Sequence, residues 1–178
     1  MNRPPEWITA DWPAPKNVRT LITTRAGGVS TGPFASINLG AFLADDVQAV
    51  KANRAILRRH LPAEPKWLRQ VHGIKVVDAD NLHGLSEADA SVARKANTVC
   101  AIATADCIPL LFCNRQGTVV AAAHAGWRGL CAGVIENTLQ AMQCEANEIM
   151  AYLGPAIGPR KFEVGREALG KGGLVTDP

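Results

Sequence analysis

Apolar positions along the chain form short runs with the spacing of β-strands, interrupted by two segments with helical spacing. Glycine-rich stretches such as RAGGVSTGPF (25–34) and the NRQG sequence (114–117) predict the loops and turns between them. The three runs from 97 to 126 predict consecutive strands of a largely buried sheet. The predicted strands are residues 18–24, 66–71, 74–79, 97–107, 108–113, 118–126 and the start of the segment 148–165.

The segment DDVQAVKANRAILRRHLP (45–62) predicts the clearest helix. Asp45 and Asp46 suit the positive N-terminal end of a helix, and Pro62 ends it. Its expected apolar face consists of Val47, Val50 and Leu57.

A second helix is predicted over GLCAGVIENTLQAMQ (129–143), directly after an unusual strand end. The strand VVAAAHAG changes to GWRG at His124, so this histidine lies where a strand meets a helix. Small residues there allow close packing, and Gly126 and Gly129 permit a sharp turn. The side of the second helix that we expect to be apolar carries Leu130, Val134, Thr138 and Met142.

Composition adds that the chain is an ordinary globular one of 178 residues, with 47% hydrophobic and 20% charged residues. We therefore expect one domain over 1–178. The formal net charge of +3 comes from scattered residues, and no basic tract predicts a nucleic acid or membrane partner. The beginning of the sequence lacks the apolar core of a signal peptide, so we expect a cytoplasmic protein.

Candidate chemistry is found where predicted strands end, with His72 at a turn after one strand and Cys107 and His124 near the ends of two others. Two imidazoles and a thiolate suit zinc or copper, and three protein ligands leave a fourth position open, as in catalytic metal sites. The intervals between the three residues contain none of the short metal-binding spacings. Two of the three residues also have an ordinary structural interpretation, because His72 suits a turn and Cys107 suits an inert buried position. His124 has none, because a histidine that ends an alanine-rich strand before GWRG has no packing rationale.

Other polar residues leave alternatives open. Asp106 is either a cap for the turn at Pro109 or an acceptor that orients a histidine. Arg25 is a candidate for anion recognition or a solvated loop charge. Arg128 places a cation where an anionic group could bind.

Six blocks of the sequence together resemble a known family more specifically than any residue does alone. They are TTRAGGVSTGPFASINLG, DDVQAVKANRAIL, RQVHG, ADAS followed by TADCIPLL, HAGWRG and GPAIG. In this order they resemble the bacterial laccase-like family once called multicopper polyphenol oxidases. Its members are described as purine nucleoside phosphorylases, and some as peptidoglycan editing factors. The resemblance runs from about residue 18 to residue 165.

The resemblance implies a mixed α/β (α+β) fold, a layered sandwich of mixed β-sheets with outer helices that is cysteine hydrolase-like. It also implies a zinc site, with copper as the alternative metal, whose ligands match His72, Cys107 and His124. These three are then also the catalytic residues, and Arg25 and Arg128 the substrate-binding ones. The family domain continues beyond GPAIG, whereas this chain ends in GREALGKGGLVTDP, so we expect the C-terminal part of that domain to be missing.

The implied activity is phosphorolysis of purine nucleosides such as adenosine, inosine and methylthioadenosine, with adenosine deamination as a side activity. The partners are then the nucleoside and phosphate, and a homodimer is compatible with the sequence. A metal-independent cysteine hydrolase acting in peptidoglycan precursor editing uses Cys107 as nucleophile and His124 as base. Copper-dependent polyphenol oxidation and a non-enzymatic binding remnant are the remaining alternatives.

Overall fold

The computed structural model describes residues 7–163 and residue 165. The C-terminal ending, on which the expectation of a missing segment rests, lies outside these residues apart from Gly165. The described residues form a mixed α/β fold, as the sequence predicts. Two helices pack against a five-stranded sheet, and the fold also contains two parallel sheets of two strands each.

The central sheet consists of β3 (Val76–Asp78), β5 (Ala90–Ala93), β7 (Ile108–Asn114), β8 (Val120–Ala125) and β9 (Ile149–Leu153). Its strand order is β3-β5-β8-β7-β9. The β3 and β5 strands are parallel, and the remaining neighbours are antiparallel. In the small sheets β1 (Pro65–Lys66) pairs with β6 (Val99–Cys100), and β2 (Leu68–Arg69) pairs with β4 (Ser86–Glu87).

Two predicted strands are largely wrong. Residues 18–24 contribute a single antiparallel bridge between Ile22 and Ile8. In the run 97–107, only Val99–Cys100 is a strand, and residues 101–107 are irregular. The apolar character of 101–107 reflects partial burial of a connection rather than a place in a sheet.

The first helix, α1 (Val47–Arg58), begins as predicted, because the Asp46 side chain accepts hydrogen bonds from the main-chain N–H groups of Gln48 and Ala49. Val50 and Leu57 are buried, whereas Val47 is 62% exposed, so its assignment to the apolar face is wrong. A residue in the first turn can extend past the edge of the surface that the helix covers.

The second predicted helix is two helices, α2 (Trp127–Ala132) and α3 (Val134–Met142). Gly133 separates them with a φ of +101°, a left-handed conformation that glycine adopts without steric cost. Because of this break, Leu130 is 38% exposed instead of sharing a face with Val134, Thr138 and Met142, which are fully buried.

The main core lies between α3 and the central sheet. Val134 and Met142 pack onto the alanine-rich strand β8, where Ala121 and Ala123 allow the helix to approach closely. A smaller cluster of Trp7, Ile37 and Leu57 lies under α1. Within residues 7–163, no helix is both long and apolar enough to cross a membrane. The core fixes β8 and the start of α2, between which the candidate site lies.

Candidate metal centre

The structure brings His72, Cys107 and His124 together from three separate parts of the chain. One potential ligand atom from each lies within 4.8 Å of the others. His72 follows β2, Cys107 immediately precedes β7, and His124 lies near the end of β8. In the antiparallel register of these two strands, Ile108 pairs with Ala125 and Pro109 with His124, which explains why Cys107 and His124 are neighbours.

His72 stands in a turn with a φ of +60°, a left-handed conformation that is uncommon for a residue with a side chain. The carboxylate of Asp89 stabilises this turn. It accepts hydrogen bonds from the main-chain N–H groups of Val71 at 3.1 Å, His72 at 2.9 Å and Gly73 at 2.8 Å. The backbone at His72 is therefore fixed by an anion that is itself fully buried.

The same carboxylate orients His124. Nδ1 of this buried histidine lies 2.8 Å from Oδ1 of Asp89. When Nδ1 carries the hydrogen and donates it to Asp89, the free lone pair of the ring is on Nε2, ready to bind a metal. A carboxylate in this position also makes the imidazole a stronger ligand.

Cys107 completes the group with a partly buried thiol. Its Sγ lies 3.8 Å from Nε2 of His72, and the His72 and His124 rings meet edge to face with centroids 4.8 Å apart. Burial raises the pKa of the Cys107 thiol, and the negative charges of Asp106 and Asp89 raise it further. A nearby cation would oppose this effect and favour the thiolate.

Two glycines leave the space that this arrangement needs. A Cβ atom at Gly126 would lie 2.5 Å from Cδ2 of His72 and 3.1 Å from Sγ of Cys107. A Cβ atom at Gly129 would lie 2.7 Å from the carbonyl oxygen of Gly73. The HAGWRG sequence therefore has glycine at positions 126 and 129 because the His72 turn packs directly against the start of α2.

The two predicted substrate-binding arginines have different surroundings. The Arg25 guanidinium donates hydrogen bonds to the carbonyl oxygens of Ala35, at 2.8 Å and 3.1 Å, and of Pro33, at 3.3 Å, so it organises its own loop. Arg128 is exposed, and its guanidinium carbon lies 4.2 Å from the centroid of the Trp127 ring.

Asp106 is exposed, and its main-chain oxygen accepts a hydrogen bond from the N–H of Ile157. The carboxylate that orients a histidine is Asp89, which we did not single out from the sequence. A signal was present in the ADAS block, because an aspartate between small apolar residues in a buried run needs polar partners.

The donor set and its surroundings fit a resident metal ion. Two imidazoles and a thiol converge, a carboxylate fixes one ring from behind, and glycines leave the site open. These are the features of a zinc or copper site with a free coordination position. His72, Cys107 and His124 are the residues that could hold the ion.

Comparison with known proteins gives the family. The family model for multi-copper polyphenol oxidoreductase laccase matches residues 19–171. The chain is 56% identical over 161 residues to a Pseudomonas aeruginosa protein named purine nucleoside phosphorylase PA4543, covering 90% of this chain and 66% of that protein. It is 52% identical over 163 residues to the Escherichia coli protein named purine nucleoside phosphorylase YfiH, covering 90% of this chain and 67% of that protein.

A solved structure agrees with these relatives. The crystal structure of Neisseria meningitidis protein NMB0706 matches with a TM-score of 0.88 and 53% identity, over 92% of this chain and 68% of that one. The chain therefore belongs to the laccase-like multi-copper polyphenol oxidoreductase family, which confirms the resemblance. It spans about two thirds of the length of the curated relatives.

Proposed function

We propose that the protein is a zinc-dependent purine nucleoside phosphorylase that cleaves adenosine, inosine and methylthioadenosine. The observation that carries the proposal is the convergence of His72, Cys107 and His124 within 4.8 Å around a position that Asp89 organises. The names of the relatives support the choice of reaction. Zinc bound by these side chains would supply Lewis acidity and an open coordination position in a largely preformed site.

In the proposed reaction, the glycosidic bond between the base nitrogen and C1′ breaks, and its electron pair leaves with the base. An oxygen of hydrogen phosphate forms the new bond to C1′, and the departing base takes up the proton that the phosphate gives up. Adenosine and inosine thus give ribose 1-phosphate, and methylthioadenosine gives methylthioribose 1-phosphate. Positive charge develops on the ribose in the transition state, and a nearby phosphate dianion stabilises it. Arg25 and Arg128 are the candidate cations for holding that phosphate.

The surface around the His72 turn suits an aromatic base. Val71 and Ile74 flank the turn and are 44% and 38% exposed, and Leu130 on α2 is 38% exposed. Large apolar side chains exposed beside convergent polar groups are typical of small-molecule sites. Deamination of adenosine is the proposed side activity, in which the oxygen of water bonds to C6, the amino group leaves as ammonia and inosine is formed.

A cysteine hydrolase, with the cysteine hydrolase-like fold that the resemblance implies, is the second candidate. It is favoured by the distance of 3.8 Å between Sγ of Cys107 and Nε2 of His72. His72 would then be the base in place of His124, and the thiolate would attack an amide or ester carbonyl of a peptidoglycan precursor. The raised pKa of Cys107 disfavours this use, because the thiolate is the nucleophile.

Copper-dependent phenol oxidation uses the same three donors, which also suit copper. Within the described part of the chain, they form a single group of potential ligands. A single group can hold one ion, whereas multi-copper oxidation needs several, so we rank phenol oxidation below nucleoside cleavage. Comparison of the activities of zinc-loaded and copper-loaded protein tests this order.

The experiment is chromatographic product analysis of adenosine with zinc-loaded protein, with and without phosphate. Wild type should form adenine and ribose 1-phosphate only when phosphate is present, and Cys107→Ala should form neither. Cys144→Ala is the matched control, since Cys144 follows the C-terminal end of α3 and its Sγ donates a hydrogen bond to the Met142 carbonyl oxygen. Formation of inosine from adenosine in the reaction without phosphate would reveal deamination.

Unchanged turnover in Cys107→Ala would contradict the metal-centred reaction. Hydrolysis that survives chelation, and that stops when one thiol is alkylated, would favour the cysteine hydrolase instead. Zinc binding without turnover of any nucleoside would favour a binding protein.

A further inference from the structure

One side chain joins the segment that carries Cys107 to the segment that carries His72. Residues 101–107 connect β6 to β7 and are neither helix nor strand. Gln70, which lies between β2 and His72, contacts this connection. Its Nε2 donates a hydrogen bond to the carbonyl oxygen of Ala103 at 2.7 Å, and its Oε1 accepts one from the N–H of Ala103 at 2.7 Å.

This contact fixes an orientation as well as a distance. The primary amide of glutamine places a donor and an acceptor side by side in one plane, so it pairs with a peptide unit much as a neighbouring strand does. Ala103 lies four positions before Cys107, and Gln70 lies two positions before His72. Irregular segments depend on such contacts because they have no ladder of their own.

The other candidate ligands are held by different means. Asp89 binds His72 through its main-chain N–H group and His124 through Nδ1 of the ring. These contacts hold the His72 turn and β8, and they do not involve residues 101–107. Near Cys107 itself, the N–H of Ile157 donates to the carbonyl oxygen of Asp106 at 3.0 Å. The Gln70 contact therefore links the third ligand to the pair that Asp89 organises.

We propose that Gln70 is a positioning residue that holds the Cys107 thiol in place as a ligand beside His72. The inference rests on the proposed function, because it takes the three side chains as ligands of one metal ion. Residues that orient ligands from outside the coordination shell typically change metal affinity by about 10- to 100-fold when they are removed.

The test measures zinc affinity, by competition with a chromogenic chelator, and the thiolate-to-metal absorption of the cobalt(II)-loaded protein. Gln70→Ala should weaken zinc binding by about 10- to 100-fold and reduce the cobalt–thiolate band. In a Cys107→Ser background, Gln70→Ala should have little further effect, because its influence acts through the thiol. This comparison separates positioning of Cys107 from a general loss of structure.

Two further variants complete the design. Gln116→Ala is the matched control, because Gln116 lies at the opposite end of β7 and its Nε2 donates to Oε1 of Glu148 at 3.0 Å. It should bind zinc like wild type. Gln70→Glu decides the result if Gln70→Ala does not fold. It keeps an acceptor for the N–H of Ala103 but sets a carboxylate oxygen against the Ala103 carbonyl, so it should also weaken zinc binding.

Equal losses of affinity in the Cys107 and Cys107→Ser backgrounds would overturn the inference, and so would wild-type affinity in both Gln70 variants. In those cases wild type still binds zinc through Cys107, and the proposed function stands. A wild-type chain that binds neither zinc nor cobalt would overturn the inference and the proposed function together.

Discussion

Asp89 and His124 are joined twice, once through the main chain and once through their side chains. The N–H of His124 donates to the carbonyl oxygen of Asp89 at 2.7 Å, and Nδ1 of His124 lies 2.8 Å from Oδ1 of Asp89. The pairing of β5 with β8, in which Ala90 lies opposite Ala123, brings the two residues side by side. The sheet itself therefore delivers the carboxylate to the histidine.

Asp89→Asn should weaken zinc binding by about 10- to 100-fold, because it removes the charge that orients His124. It should also lower the free energy of unfolding by about 1–3 kcal/mol, since an amide nitrogen would face the N–H groups of the His72 turn. Zinc competition and urea denaturation measure the two effects.

Asp80→Asn is the control for this variant. Asp80 likewise accepts hydrogen bonds from main-chain N–H groups, those of Arg94 and Lys95 at 2.7 Å and 3.1 Å, but it orients none of the candidate ligands. Equal zinc affinity in Asp89→Asn and Asp80→Asn would show that Asp89 only supports a turn.

Gly126→Ala should displace the His72 ring, because the new Cβ would lie 2.5 Å from Cδ2 of His72. We expect zinc affinity to fall at least about tenfold and stability to fall by about 1–3 kcal/mol, as in other overpacked sites. Gly158→Ala is matched to it, since a Cβ there meets nothing within 4 Å. Wild-type zinc binding by Gly126→Ala would show that the site adapts.

Asn53 on α1 should stabilise the loop that begins at Arg25. Its buried amide accepts a hydrogen bond from the N–H of Val29 at 2.8 Å and donates to Oγ of Ser30 at 2.9 Å and to the carbonyl oxygen of Asn38 at 3.0 Å. Asn53→Ala removes these hydrogen bonds and leaves their partners unsatisfied, so it should lower the free energy of unfolding by about 2–4 kcal/mol.

Asn17→Ala gives the comparison for this loop, because Nδ2 of Asn17 makes one exposed hydrogen bond to the carbonyl oxygen of Gly117. Its expected cost is below about 1 kcal/mol. Equal urea denaturation midpoints for Asn53→Ala and Asn17→Ala would argue against a structural role for the buried amide.

The Cys100 thiol should make the free energy of unfolding depend on pH in the alkaline range. Burial raises the pKa of its thiol from an ordinary value of 9.0 to about 11, with the charges of Asp80 and Asp78 adding to the effect. Between these two pH values the unfolded chain loses the proton while the folded chain keeps it, so stability falls as pH rises. The contribution is fully present below pH 9.0 and is lost by about pH 11.

The measurement is the free energy of unfolding of wild type and Cys100→Ala across this range. Relative to Cys100→Ala, the free energy of unfolding of wild type should fall by on the order of 2–3 kcal/mol as pH rises through this range. A difference that is independent of pH would show that the thiol is not desolvated in the folded state.

Residues that follow local rules could be predicted from the sequence. The Asp46 cap fixes the start of α1, and the apolar runs identify β7 and β8. The sequence also pointed to His72, Cys107 and His124, first by their position at strand ends or a turn and then by the resemblance. That these residues meet depends on the β7–β8 register, which no local pattern specifies.

What the sequence did not indicate depends on distant contacts. Asp89 acts on residues 71–73 and on His124, and Gln70 acts on Ala103, so both roles exist only once strands far apart in the chain have come together. The strand predicted for residues 97–107 does not continue through 101–107 for a related reason. That segment is held by a side chain and a few loop contacts instead of a neighbouring strand.

X-ray absorption at the zinc K-edge of the zinc-loaded protein tests the central claim most directly, namely that His72, Cys107 and His124 hold one metal ion. The account predicts one sulfur neighbour at about 2.3 Å and two imidazole nitrogens at about 2.0–2.1 Å. Cys107→Ala should lose the sulfur contribution. A wild-type spectrum without sulfur, or without imidazole, would contradict the account.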